Sequence, residues 1–369
     1  MDKLEQIDNM FGSNFDDLDV LKLFINYQKN DKAKPGSKNP LDSDSWIEKP
    51  ISFQEFLVSK HHLNFPGYSE EQLGIPKFLF DFKNIENSIT NKHYLALLAF
   101  GKGSGKDTIS AHVILYIVYL LLCAKDPTMF YPGLNENSPL DILNVAADAS
   151  QARDVFFKIL KSYVSKWVWL IERMSISAGG SVLSKALPAN VIHPHWKKFY
   201  CNINSDNISF GPQITAVSKH SGDEAIEGRN TIACVLDELA SFEAKAGQKL
   251  FDNLISSAIT RCDGNMKILV ISYLRYEGDL VQKLIKDFWN DPNVYIDVAS
   301  TFVVKPRHLF GSEWVEWKDP ETGKAYSIPK AYLKEFQRAP EMSKCIYLSI
   351  SPAAYDPWFA NPKAIDSCI

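Results

Sequence analysis

The nine residues Phe100-Gly101-Lys102-Gly103-Ser104-Gly105-Lys106-Asp107-Thr108 leave few folds open to this chain. The apolar run Tyr94-Leu95-Ala96-Leu97-Leu98-Ala99 precedes them and reads as a buried strand. Behind them, Ile109 to Cys123 is a long apolar segment of helical character. A strand, a glycine-rich turn ending in Gly-Lys and then a helix is the arrangement that holds a nucleoside triphosphate. The glycines let backbone N–H groups close around phosphate oxygens, the helix N-terminus adds positive potential, and Lys106 reaches the β- and γ-phosphates. Further along, Thr231-Ile232-Ala233-Cys234-Val235-Leu236-Asp237-Glu238 reads as a buried strand ending in two acids. In such a pair the first carboxylate suits Mg²⁺ and the second can polarise an attacking water. Together the two motifs imply ATP hydrolysis.

The loop departs twice from the pattern G-x-x-x-x-G-K-[ST]. Phe100 stands at the first glycine, and Asp107 stands where a hydroxyl ordinarily meets Mg²⁺. Three readings follow: Asp107 approaches the metal through its own oxygen, Thr108 takes over from the next position, or nucleotide binding is weak or lost. An ordinary strand–helix turn with no ligand has the same glycines, and the acid-ended strand is what argues against it.

With 369 residues, 46% hydrophobic and 12% aromatic, the chain has material for one large α/β domain or two modest ones. A net charge of −4 gives no global nucleic-acid signature. Between Ser150 and Tyr200 there is a local basic bias (Arg153, Lys158, Lys161, Lys166, Arg173, Lys185, Lys197, Lys198), which a solvated helix face explains as well as a nucleic-acid track does. Cys123, Cys201, Cys234, Cys262, Cys345 and Cys368 have no C-x-x-C spacing, and Cys123 and Cys234 sit in apolar runs, as reduced thiols do. His193 and His195 have only Cys201 as a nearby further ligand, so no zinc site is expected. The N-terminus lacks a charged-then-apolar signal pattern, and Val113 to Ala124 is too short to span a bilayer. A soluble intracellular protein is expected.

Three regions are expected. Residues 1–90 form a mainly helical N-terminal region, with apolar stripes at Leu4, Ile7, Met10, Phe11 and at Leu18, Leu21, Phe24, Ile25. Such stripes are more often core packing than a partner surface. A polar, turn-rich linker over 30–50 follows them. Residues 91–300 form a core of alternating strands (His93–Phe100, Ile142–Ala147, Asn230–Leu236, Lys267–Ser272, Val294–Val298) and helices (near 105–123, 150–169, 243–260 and 278–289). Their apolar strands with little alternation fit a parallel sheet covered on both faces. Phe199–Asn204 and Ile208–Val217 read as an antiparallel pair. Residues 301–369 form an aromatic, proline-rich extension.

The order of these motifs resembles the ATPase half of the large terminase subunit, the DNA-packaging motor of tailed phages. The resemblance rests on residues about 90–300: the loop with Lys102 early in it, Asn144-Val145-Ala146-Ala147-Asp148 as the next strand and turn, Gly228-Arg229-Asn230, the Asp237–Glu238 strand, and Ile268 to Tyr273. It implies an α/β P-loop NTPase of the RecA/ASCE-like type, with a mainly parallel central sheet flanked by helices and a smaller helical N-terminal or lid region. The implied cofactors are ATP and Mg²⁺. Gly101, Gly103, Ser104, Gly105, Lys106, Asp107, Thr108 and Ser272 would hold the nucleotide, Ser272 as a γ-phosphate sensor. Asp237 and Thr108 would serve the metal, Glu238 would activate water, and Lys102 would act as a cis cation. Arg153, Arg173 and Arg229 are candidates for a finger supplied to a neighbour.

The implied partners are double-stranded DNA, a portal protein and a small terminase subunit. The active form would be a homo-oligomeric ring in the cytoplasm of an infected host cell, with no membrane. Tyr273 departs from the family, which has a small residue there, and the residues after 300 are too few for the family's nuclease, so no nuclease activity is expected. A helicase-like nucleic-acid-stimulated ATPase and a non-catalytic scaffold with a degenerate loop are the alternatives.

Overall fold

The computed structural model describes residues 45–351 apart from 149, 151–152, 189–193, 223–225 and 227. The N-terminal stripes, most of the 30–50 linker, and Cys368 lie outside the described residues.

Long apolar runs build the centre. Strands β1 (Leu95–Phe100), β2 (Leu140–Ala146), β8 (Thr231–Asp237) and β9 (Lys267–Ser272) are buried at every residue, as strands covered on both faces must be. With β3 (Ser175–Ala178), β4 (Ser181–Ser184), β5 (Tyr200–Ile203), β6 (Asn207–Phe210), β7 (Ile214–His220) and β10 (Val294–Ala299) they form one sheet, in the order β10-β1-β9-β8-β2-β7-β6-β5-β3-β4. From β10 to β7 all neighbours are parallel. Beyond β7 the pairings turn mostly antiparallel.

That extension corrects the expected two-stranded pair. Gly211, with φ +68°, and Pro212 break the stretch expected as one strand into β6 and β7. β6 is antiparallel to both β5 and β7, while β7 runs parallel to β2 and so joins the two parts of the sheet. The β3–β4 hairpin, turning at Gly179 and Gly180 with φ of +55° and +83°, had no apolar run to announce it.

Helices α1 (Phe53–Val58), α2 (Glu70–Leu79), α3 (Lys106–Cys123), α4 (Lys158–Val164), α5 (Val168–Arg173), α6 (Ala244–Thr260) and α7 (Leu280–Phe288) flank the sheet, α1 and α4 by packing on α3 and the others on the strands themselves. The single helix expected over 150–169 is instead a π turn at Arg153–Phe157 followed by α4 and α5. Of α3 only Asp107 and Thr108 escape burial. Its 18 residues are long and apolar enough to cross a membrane, but 89% of them are buried inside the fold, which accounts for the composition. Against α3 pack Phe53 and Phe56 of α1, both edge-on or tilted to Tyr116 at ring separations of 5.2 and 5.3 Å.

The described part of the C-terminal extension has a small core of its own. Helix α8 (Thr301–Val304), the hairpin β11 (Trp314–Lys318)–β12 (Ala325–Pro329), α9 (Leu333–Arg338) and α10 (Pro340–Ser343) enclose Phe302, Trp317, Tyr326, Ile328, Phe336 and Leu348. A buried ion pair, Lys344 Nζ to Asp319 Oδ2 at 2.9 Å, ties the hairpin to the π turn that follows α10.

Candidate nucleotide-phosphate site

Strand order brings the motifs together. β9 lies between β1 and β8, with Ser272 beside Ala99 and Ile271 beside Asp237. The carboxyl ends of these three strands therefore meet on the sheet edge where open α/β folds bind ligands. Phe100, at the position of the missing glycine, is the fully buried last residue of β1. The demand for a glycine falls on Gly101 instead, where a Cβ would lie 2.4 Å from both Thr301 Oγ1 and the Tyr347 carbonyl. Gly103 and Gly105 take φ of +80° and +88°, conformations that glycine adopts without cost. Gly105 is the N-cap of α3 and gives the helix no side-chain cap, so its first N–H groups face the loop. The buried Ser104 hydroxyl makes no hydrogen bond. A long helix N-terminus left open beneath such a loop is a ready anion cradle.

Charge is concentrated at the mouth of that cradle. Lys106 Nζ lies 2.8 Å from Glu238 Oε1, with the two side chains only 5% and 18% exposed. Burial pulls the Lys106 ammonium down, but Glu238, Asp107 and Asp237 around it outweigh this and leave it above its ordinary value. Burial pushes the Asp107 carboxyl up, while Lys106 opposes that shift and Glu238 adds to it. The other Glu238 oxygen, Oε2, is buried without a hydrogen bond. Glu238 also carries φ +57°, a left-handed conformation that costs a non-glycine residue about 1–2 kcal/mol. The turn is fixed by Glu238 N–H to Ile271 O and by Ser241 N–H to Glu238 O, both at 2.7 Å. Strain of this kind concentrates at functional sites.

Three carboxylates around one lysine would repel a triphosphate unless a divalent cation arrived with it. Among the described residues no three His, Cys, Asp or Glu side chains form a ready-made metal cage. That suits Mg²⁺, which typically takes one or two carboxylates and completes its shell with phosphate oxygens and water. Asp237 is buried at the end of β8, and Asp107 and Thr108 are half-buried in the first turn of α3.

The remaining expected residues divide. Ser272 is fully buried; its hydroxyl donates to Tyr273 O at 3.1 Å and accepts from Ala240 N–H at 3.4 Å, joining the ends of β9 and β8. The Tyr273 ring lies 5.8 Å from Lys106 Nζ, so the residue that departs from the family pattern lines the site. The Lys102 side chain is exposed, while its backbone is held on both sides, N–H to Ile346 O at 2.6 Å and C=O by Thr301 Oγ1 at 2.8 Å. Arg173 is not available to a neighbour. Its guanidinium grips Glu48 at 2.6 Å and lies over the rings of Trp169 and Trp196 at 4.4 and 5.0 Å. Arg229 is paired with Asp141 at 2.9 Å, by the start of β2 and so on the opposite sheet edge. The Arg153 side chain lies outside the described residues. Arg173 also drops out of the basic track, of which Lys158, Lys166 and Lys185 are exposed.

Sequence reasoning missed two supports of the loop. Gln72 Nε2 donates to Ser104 O at 3.0 Å, and Gln72 itself is fixed by a capping box with Ser69 at the start of α2. The Ser-x-x-Gln spacing was a readable signal of the helix start, though not of the contact. The second support is the turn 345–347: besides Ile346 O on Lys102, Cys345 Sγ donates to Leu274 O at 3.0 Å, so one turn touches both the phosphate loop and the segment after Ser272. Gln72→Ala leaves the buried Ser104 carbonyl without this donor, a loss of about 1–2 kcal/mol. A correspondingly lower urea midpoint and a raised KM for ATP are expected, and an unchanged KM would show that the loop holds its shape without Gln72.

Residues 19–312 match the model of a protein family described as "Uncharacterized protein MJ0330, N-terminal P-loop domain". The uncharacterized protein MJ0330 of Methanocaldococcus jannaschii is 24% identical over 324 residues, covering 86% of this chain and 51% of that protein. The chain thus spans about half the length of this curated relative. Among solved structures, it is similar to the large terminase ATPase domain of Thermus phage P74-26 (TM-score 0.46, 11% identity, 77% of this chain and 94% of that one). It is also similar to the large terminase of bacteriophage HK97 (TM-score 0.43, 13% identity, 76% of this chain and 55% of that one).

Proposed function

The chain belongs to the family of the MJ0330 N-terminal P-loop domain, and from that premise we propose that it binds ATP with Mg²⁺ and hydrolyses it. The observation that carries this reading is the convergence of Lys106, Glu238, Asp237 and Ser272 on one sheet edge, above the open N-terminus of α3. Lys106 and the loop amides hold the triphosphate. As the phosphate takes over the Lys106 ammonium, Glu238 is released to orient water and accept its proton. Lys102, on the exposed rim, offsets charge on the transferred group. Mg²⁺, when bound, neutralises charge on the phosphate oxygens, and Asp237 together with Asp107 or Thr108 would hold it.

The finer reading is that hydrolysis drives movement along double-stranded DNA, as part of viral genome packaging by a ring of copies working with a portal protein and a small terminase subunit. It rests on the order of motifs: a basic residue early in the phosphate loop, the acid-ended strand, then a small hydroxyl at the next strand end. Steady-state ATP hydrolysis by the purified chain, with and without Mg²⁺ and linear double-stranded DNA, tests both levels. Mg²⁺-dependent turnover is expected, raised about tenfold by the DNA, a 1.4 kcal/mol effect. Turnover indifferent to DNA would leave an ATPase and remove the packaging role.

A further inference from the structure

The outermost strand of the sheet among the described residues, far from the phosphate loop, carries apolar side chains that ATP hydrolysis does not use. β4 is the last strand, and Val182 and Leu183 on it are 62% and 55% exposed, with Leu187 at 42% just beyond and Tyr200 at 52% on β5. Two of these side chains share one face of the sheet. Tyr200 stands opposite Ser175 and Val182 opposite Ser177, so both lie on the β3 face that carries those two small serines. Ala186 N–H donates to Ser175 Oγ at 3.3 Å and Leu187 N–H to Glu172 O at 3.1 Å, which lays the next segment beside them. Single exposed apolar residues are ordinary. Val182 and Tyr200 on one face, with Leu183 and Leu187 close by in the chain, lie at a strand that has no outer neighbour among the described residues, and they mark a surface that something covers.

We propose that this patch is the docking site of the chain's own N-terminal segment, residues 4–25. That segment has the matching chemistry. Leu4, Ile7, Met10 and Phe11, then Leu18, Leu21, Phe24 and Ile25, recur at helical spacing and form apolar stripes that need a surface to cover. Residues 1–25 carry six acids (Asp2, Glu5, Asp8, Asp16, Asp17, Asp19) against Lys3 and Lys22. The patch carries the opposite charge at its rim, where exposed Lys185 directly follows β4. The path is short. The described chain starts at Ser45, and by Glu48 it already touches Arg173, two residues before β3. The intervening residues 26–44 can span about 60 Å when extended, so reach does not limit the docking.

The test uses the full chain with p-benzoylphenylalanine in place of Ser181, at the rim of the patch. Isotopically light and heavy protein are mixed in equal amounts and irradiated, and the adducts are mapped by mass spectrometry. Adducts within single copies, to peptides from residues 1–30, are expected. Their yield should fall about tenfold with Val182→Asp plus Leu187→Asp, and likewise with Leu21→Asp plus Phe24→Asp, which changes the segment and leaves the described core untouched. Light–heavy adducts would assign the patch to a second copy. Adducts elsewhere in the chain, or none, would equally overturn the proposal.

Discussion

Glu238→Gln is expected to lower kcat for ATP about 10³-fold while ATP still binds, the size of effect seen when a positioned general base is removed. The amide cannot take a proton from water. It also no longer neutralises Lys106, whose ammonium sits 2.8 Å from the carboxylate. A phosphate then meets a lysine that need not give up a partner, so the dissociation constant for ATP should stay the same or fall. Lys106→Ala should differ in kind: binding and turnover are both lost. It also leaves Asp107, Asp237 and Glu238 around the emptied place without the counter-charge that holds them together. Removing one partner of a buried pair costs about 3–5 kcal/mol, so this variant carries a stability defect that glutamine avoids. Fluorescent-nucleotide binding beside steady-state hydrolysis separates the two. A Glu238→Gln protein that keeps more than about a tenth of wild-type turnover would reduce Glu238 to a resting partner of Lys106.

Much of this site was legible because its chemistry is local in sequence. Gly103, Gly105 and Lys106 are set by the turn itself, and Asp237 and Glu238 by the end of an apolar run. What could not be read is which distant backbone holds the loop. Gly101 is required because Thr301 and Tyr347, some two hundred residues away, close on it from the C-terminal unit. Gln72 acts across the gap between α2 and the loop. Arg173 looked available because nothing in its neighbourhood announced Glu48, which reaches it from 125 residues earlier.

The same physics divides the fold. β1, β2, β8 and β9 are covered on both faces, and continuous apolar runs give them away. The β3–β4 hairpin is more than half serine and glycine at an exposed edge, so its pairing rests on backbone hydrogen bonds that leave no trace in hydrophobicity. β6 and β7 were merged because both are apolar, and only Gly211-Pro212 marks the reversal. The C-terminal unit was opaque for a third reason. Its core is a cluster of aromatic rings drawn from short elements, so no periodicity runs long enough to detect.

Acid should unfold this protein through two histidines that the fold keeps neutral. Burial, aided by Arg173 and His61, pushes His62 down to about 4, and burial pushes His112 down to about 3. His62 Nδ1 accepts from Trp167 Nε1–H at 3.2 Å, a bond that a proton on Nδ1 abolishes. His112 is fully buried on α3, and its Nε2 has no hydrogen-bond partner. In the unfolded chain both titrate near 6.5, so below that pH the unfolded state binds protons that the folded state refuses. Stability is therefore fully present above the unfolded value and falls as pH drops toward the folded ones. Between pH 6.5 and 5 the pair should remove about 3 kcal/mol. Asp107, Asp141 and Asp279 work in the other direction, since burial raises each carboxyl and the fold takes up their protons more readily. Their contribution sets in from the carboxylate range upward, so the wild-type profile alone mixes the two effects. The difference between wild type and His112→Leu isolates one histidine. Urea unfolding at pH 6.5 and 5 should show the variant losing about 1.5 kcal/mol less than wild type over that interval. Equal losses in the two proteins would mean that His112 takes up its proton in the fold as readily as in the open chain.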